Sequence, residues 1–277
     1  MKVYLDLLHD VVTNGISSTN RTGIPSQSLT GRSLRWNLSD GFPIVTTRKV
    51  SFKIAFEETM FFLRGETHTK TLEEKGIGIW KENTSRQFLD SVGLTNLDEG
   101  DMGKGYGYQI RNFGGSGYDQ LDTLLSGLKK DPTGRRHVIS HWCPYQLSDV
   151  TLPPCHLMHM YSVKNDKLDS SFVMRSSDVY HGLPYNIMSY ALMNNIFSKY
   201  LGINPGELVY FGHDVHVYEP HIKVINQQLI RHPYPLPRLV INKNLQTLQD
   251  ILDLKISDCI LDGYESHPAL QKVAMAI

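Results

Sequence analysis

The 277-residue sequence predicts a mixed α+β fold, with strands at its centre covered by helices before and after them. Three observations carry that expectation. Apolar residues recur at helical spacing in 2–14, 52–63 and 118–130. Short alternating or β-rich runs occupy 136–142, 156–163 and 168–175, separated by Pro153-Pro154 and Asn165-Asp166. A long, almost wholly apolar stretch then runs from Pro184 to Leu201. No internal repeat, low-complexity tract or long linker is visible, so residues 1–277 read as one domain.

In chain order, Leu5, Leu8, Val11 and Val12 define the first helix, which Gly15 stops. Residues 17–28 combine Ser, Asn, Arg, Thr, Gly and Pro without periodicity and read as a loop. Phe52, Phe56, Met60 and Leu63 mark a second helix, closed by Gly65. Residues 81–105 are polar and glycine-bearing, too long for a plain connection in a compact domain. Leu121, Leu124, Leu125 and Leu128 mark a third helix, broken by Asp131-Pro132. Ile187, Tyr190, Leu192, Met193, Ile196 and Phe197 surround the helix from Pro184, which is therefore expected to be buried on most sides.

Composition narrows the function classes. Hydrophobic residues make up 40% and charged residues 20%, an ordinary globular balance. Lys+Arg and Asp+Glu both number 28, so a generalised grip on nucleic acid or anionic membrane is not indicated. Residues 1–10 contain no apolar signal core, and no run is long enough to span a bilayer. The cysteines are Cys143, Cys155 and Cys259, an odd and widely spaced set without C-x-x-C. A reducing, cytoplasmic setting is expected, in which a cysteine is core filler or a reagent.

Cys155 lies in Leu152-Pro153-Pro154-Cys155-His156, where two prolines restrict the backbone ahead of the thiol. It reads either as a structural cysteine or as a nucleophile, and the second reading needs a nearby cation to lower its pKa. Met174-Arg175-Ser176-Ser177-Asp178 offers one, with hydroxyls able to share an anion. The same string could equally be a salt-bridged surface turn. Asn186 opens the long helix, as a cap or as a reader of a ring's amide edge. Arg21, Arg135 and Arg136 are loop-borne beside glycines, where a phosphate can approach. Spacing leaves open whether Glu58 faces core or solvent. His156 and His159, and His213 and His216, stand three apart, which on a strand puts them on opposite faces. With no H-E-x-x-H, no catalytic metal is expected.

The ordered set of fragments resembles the thymidylate synthase family from Tyr4 to the last residue. It comprises Asn20-Arg21-Thr22-Gly23, Asp40-Gly41-Phe42-Pro43, Glu58, Ile79-Trp80, Tyr106-Gly107, Arg135-Arg136, Pro153-Pro154-Cys155-His156, Arg175-Ser176, Asp178, Gly182 to Ile187, His216-Val217-Tyr218 and the terminal Ala276-Ile277. The resemblance implies a single domain of central mixed β-sheets under helices, joined sheet to sheet in an obligate homodimer. It implies reductive methylation of dUMP at C5 with 5,10-methylenetetrahydrofolate as co-substrate. Catalytic roles would fall on Cys155, Glu58, Tyr106, His156, Arg175 and Asp178. The nucleotide would be held by Arg21, Arg175, Ser176, Ser177, Asp178, Asn186, His216, Val217 and Tyr218, with Arg135 and Arg136 from the other subunit. Trp80, Asn83, Asp178, Gly182 and Ala276 would contact the folate.

The chain departs from the usual family pattern at Ser51, Lys104, Ile110, Cys143, His141, His159, Val173 and Met174. Sister enzymes quench the same methylene intermediate with water, and the hydroxymethylase outcome stays open at this level. Asn186 matches uracil, because its carbonyl accepts from N3–H and its amide donates to O4; a cytosine ring suits a carboxyl group better. A binding module that has lost turnover and a metal-dependent hydrolase are the other classes, the first disfavoured by retention of both Cys155 and Glu58.

Overall fold

The computed structural model describes residues 1–274. Helix α1 (Lys2–Asn14) buries Tyr4, Leu5, Leu7, Leu8 and Val11 along one stripe. It ends at Gly15, where a Cβ would lie 2.3 Å from the Val11 carbonyl oxygen. Strands β1 (Ile16–Ser18) and β2 (Ser26–Asn37) follow, then α2 (Phe52–Leu63) and the short α3 (Lys70–Glu73), α4 (Arg86–Ser91) and α5 (Tyr106–Arg111). Helix α6 (Gln120–Lys130) is capped by Asp119, whose side chain accepts from the Asp122 N–H. Next come β3 (His137–Ser140), β4 (His156–Lys164), β5 (Lys167–Asp178), α7 (Leu183–Leu201) and β6 (Asn204–Tyr218). Helix α8 (Ile222–Leu229), β7 (Arg238–Ile241), α9 (Leu248–Leu252) and β8 (Cys259–Asp262) complete the described elements.

Six strands form one sheet in the order β1-β2-β6-β5-β4-β3, and β7 pairs with β8 apart from it. The sheet is mixed: β5 and β6 run parallel, while the other pairs are antiparallel. Helix α7 is the crossover that a parallel pair requires. Its low amphipathicity follows from its position, since Leu183, Ile187, Leu192, Ile196 and Phe197 are all fully buried. The expected α+β class and helix-covered sheet are thus present.

Two expectations change. Residues 17–28, read as a loop, contribute to β1 and the start of β2, and β2 pairs with β6 from Ser26↔Tyr218 to Asn37↔Glu207. Polar residues on both faces of Ser26–Asn37 hide the strand; pairing with a long neighbour supplies what local pattern lacks. The segment 81–105 is not featureless either, because it carries α4, capped by the Ser85 side chain on the Phe88 N–H. Among the described residues no helix is long and apolar enough to cross a membrane.

Candidate active site

The parallel pair β5–β6 sets the site, because its strand ends and the start of α7 converge there. Arg175, Ser176 and Asp178 end β5, His216 and Tyr218 end β6, and Cys155 precedes β4. All six line one cavity of about 790 Å³ together with Arg21 and Trp142. Arg21 is presented by an Asn turn: the Asn20 carboxamide oxygen accepts from the Thr22 N–H at 2.9 Å and the Thr22 hydroxyl at 2.6 Å.

The nucleophile candidate is held from several directions. The Arg175 Nε–H donates to the Pro154 carbonyl at 2.9 Å and its Nη2 to that of Pro153 at 2.7 Å. The same Nη2 stands 3.7 Å from Cys155 Sγ. The Cys155 backbone N–H donates to the Tyr106 hydroxyl oxygen at 2.8 Å. Burial dominates and leaves the thiol pKa raised, while the Arg175 and Arg21 guanidiniums act against that rise. His156, next in sequence, makes its hydrogen bonds inside the protein. Its Nδ1 lies 2.9 Å from the Tyr190 hydroxyl and its Nε2 2.9 Å from Asn186 Nδ2. Burial lowers this imidazole to about 4, so it is neutral, and with Nε2 accepting from the Asn186 amide its proton sits on Nδ1. Asn186 Oδ1 has no partner among the described residues.

A β-bulge corrects the expectation that His156 and His159 lie on opposite faces. Register shifts between His156 and Met158, adding a residue to β4. Both rings then meet Tyr190, at 5.5 Å and 5.2 Å.

Glu58 faces inward, where the Trp80 indole N–H donates to its Oε1 at 2.8 Å. Desolvation nevertheless dominates, and the carboxyl is pushed up to about 7. Its neighbour Glu57 pairs with Lys75 Nζ at 2.6 Å, whereas Glu58 has no cation partner among the described residues. Tyr106 bridges the two halves of the site, its ring 6.2 Å from Trp80 and 5.2 Å from His156. Asp178 accepts the N–H groups of Tyr180 and His181 at 2.9 and 3.0 Å, shaping the turn into α7. Gly182 caps that helix, and its carbonyl accepts the Asn186 N–H at 3.2 Å.

A second cavity of about 640 Å³ adjoins this turn, lined by Arg48, Lys49, Ile79, Asn83, Tyr185 and Ala274 among others. Its lining mixes apolar side chains with the basic Arg48, Lys49 and Lys272 and the acidic Glu82. Ala276 lies outside the described residues.

Some expected residues are not brought to the Cys155 cavity. Val217 is fully buried in the core, and Ser177, also buried, alternates to the far side of β5 from Ser176. Arg135 and Arg136 are exposed, and Arg135 lines instead a shallow hollow on the open face of the sheet with Arg35, Val209 and Phe211. Residues not singled out by sequence reasoning include Trp142, whose ring lies 5.9 Å from the Arg175 guanidinium, and Tyr190. Tyr190 was legible: it stands four residues after Asn186, hence on the same helix face. Asp214, 2.7 Å from His216 Nδ1, orients that imidazole and was legible in the same way, two residues before it on one strand and hence on the same face.

Comparison with known proteins agrees with this arrangement. The family profile described as thymidylate synthase matches residues 2–277. The chain is 39% identical over 281 residues to "Thymidylate synthase 1/2" of Encephalitozoon cuniculi, covering 97% of this chain and 95% of that one. It is 37% identical over 285 residues to "Thymidylate synthase" of Homo sapiens, covering 99% and 90%. A "Bifunctional dihydrofolate reductase-thymidylate synthase" of Paramecium tetraurelia is 38% identical over 279 residues, 97% of this chain but 60% of that protein. Against such bifunctional relatives the chain thus spans little more than half of their length. A match over nearly every residue, at an identity far above chance, establishes that the chain belongs to the thymidylate synthase family.

Proposed function

We propose that the protein is a folate-dependent thymidylate synthase, converting dUMP to dTMP with 5,10-methylenetetrahydrofolate as co-substrate. The observation that carries the reading is a thiol 3.7 Å from the Arg175 guanidinium in a cavity that Arg21 also lines, together with an Asn186 amide held 2.9 Å from the neutral His156, the residue next to the thiol. A soft thiolate suits addition to C6 of uracil, the end of a conjugated enone, and leaves C5 nucleophilic. Asn186 Oδ1 accepts from N3–H while its amide donates to O4. Arg21, Arg175 and Ser176 hold the phosphate, and His216 and Tyr218 the ribose hydroxyl.

Glu58, its pKa raised to about 7, moves protons at O4 and C5, with Tyr106 assisting. The folate, when bound, supplies the one-carbon unit and the hydride that reduces it. Trp80, held to Glu58, and Asp178 and Gly182 would contact the folate, with Asn83 lining the second cavity. Exclusion of water there favours methyl over hydroxymethyl.

The uncovered face of the sheet supports a homodimer. Val138 and Phe211 are 40% and 45% exposed on strands whose other face is core. A second copy on that face would cover them and bring Arg135 and Arg136 towards its partner's phosphate site. The deciding experiment is incubation with dUMP and methylenetetrahydrofolate, followed by identification of the folate product. Dihydrofolate with dTMP is expected; tetrahydrofolate with hydroxymethyl-dUMP would assign the sister reaction, and neither would refute the enzyme.

A further inference from the structure

Behind Cys155 lies a closed circuit of aromatic rings, part of which has no role in the chemistry above. Tyr106 meets His141 edge-on at 5.4 Å and 71°. His141 lies parallel to His159 at 5.2 Å and 8°. His159 in turn meets Tyr190 at 5.2 Å and 61°. His156 closes the loop between Tyr190 and Tyr106, at 5.5 Å and 5.2 Å. His141 follows β3, its N–H donating to the Leu157 carbonyl at 2.9 Å, and His159 is paired with Ile139 across β3–β4.

Both histidines are buried, at 4% and 0% exposure. His159 Nδ1 lies 2.9 Å from the Tyr161 hydroxyl, but its Nε2 and His141 Nδ1 have no hydrogen-bond partner among the described residues. A buried polar atom left so is unfavourable, and a leucine would fill much the same volume without that penalty. Core packing alone therefore does not account for two imidazoles here. Their polar edges suit something else: edge-on contact with tyrosine faces, which fixes ring orientation as well as separation.

We propose that His141 and His159 are positioning residues of the active site, acting along two branches of this circuit. Through Tyr106, His141 sets the hydroxyl that accepts the Cys155 N–H. Through Tyr190 and His156, His159 sets the carboxamide of Asn186. Neither histidine touches substrate. The second branch rests on the reading of Asn186 as the base reader; the first does not.

The branches predict different defects. In His141→Ala, the rate at which iodoacetamide alkylates Cys155, followed by mass spectrometry, should change by about threefold or more, with the ratio of dUMP to dCMP dissociation constants within about twofold of the parent. In His159→Ala that ratio should fall by about fivefold, with alkylation nearly unchanged. His141→Phe and His159→Phe, which restore a ring, should recover most of each effect, whereas His159→Gln, polar but without a ring, should not. If the alanine variants do not fold, the Phe and Gln variants make the same test. Unchanged readouts, or both readouts falling together in proportion to lost thermal stability, would overturn the proposal. A parent protein that binds neither nucleotide would refute the base-reading role and with it the His159 branch, while alkylation would still decide His141.

Discussion

Glu58 carries a carboxyl pushed up to about 7 because burial outweighs the single hydrogen bond from Trp80. Its protonated form is the one able to donate to a substrate oxygen, so kcat/KM is expected to decline as pH rises through about 7. Glu58→Gln should remove that limb along with most of the activity; a pH–rate profile checks both. Cys155→Ala should abolish turnover while leaving dUMP affinity within a few-fold, measurable by calorimetry, because the phosphate and base contacts remain. Asn186→Asp should shift nucleotide preference towards dCMP in the same assay. At this scale much was legible: Cys155, Arg175 and Asn186 stand out by residue type and neighbours. The inward turn of Glu58 was not, since helical spacing from Phe52, Phe56 and Met60 is compatible with either face.

Among the elements, α7 and the β4 bulge contribute most to the site. Helix α7 crosses from β5 to β6 and delivers Asn186 and Tyr190 from one face to His156. Its fully buried Leu192 makes a clean test, since Leu192→Ala removes methyl groups from a packed core and should cost about 2–5 kcal/mol in urea denaturation. The apolar run from Pro184 announced this helix in the sequence. The bulge between His156 and Met158 did not announce itself, because an extra residue in one strand is defined only against its partner. Strand β2 went unseen for a similar reason: its polar residues gain strand geometry from the ladder with β6.

For the whole molecule, buried histidines set the response to acid. His156, His159 and His181 are lowered to about 4, 3 and 4 by desolvation. In the unfolded chain each regains an ordinary value near 6.5. Below that pH the unfolded state binds protons that the folded state refuses, so their stabilising contribution is present above 6.5 and lost as pH falls towards 4. Each site contributes a slope of about 1.4 kcal/mol per pH unit in that window. Glu58 opposes them, since its raised pKa favours the folded state as pH falls from 7 towards 4.5. Net loss of stability between pH 6.5 and 4 is expected, read as a falling urea midpoint, and should be shallower in His159→Phe. The assembly is tested separately: mixing Arg136→Ala and Cys155→Ala subunits should restore part of the activity if arginines are shared, with no recovery if each site is complete alone.

By itself the sequence determined the α+β class and the helices at 2–14, 52–63 and 184–201, and it offered Cys155, Arg175 and Asn186 as candidates by their side-chain chemistry. These are consequences of local period and of side-chain chemistry, which neighbours cannot alter. Only the tertiary structure decided that Glu58 is desolvated against Trp80, that His156 and His159 share a face, and that Val217 and Ser177 turn away from the cavity. Each of these depends on what packs opposite, through burial, strand register and alternation, and such partners lie far away along the chain.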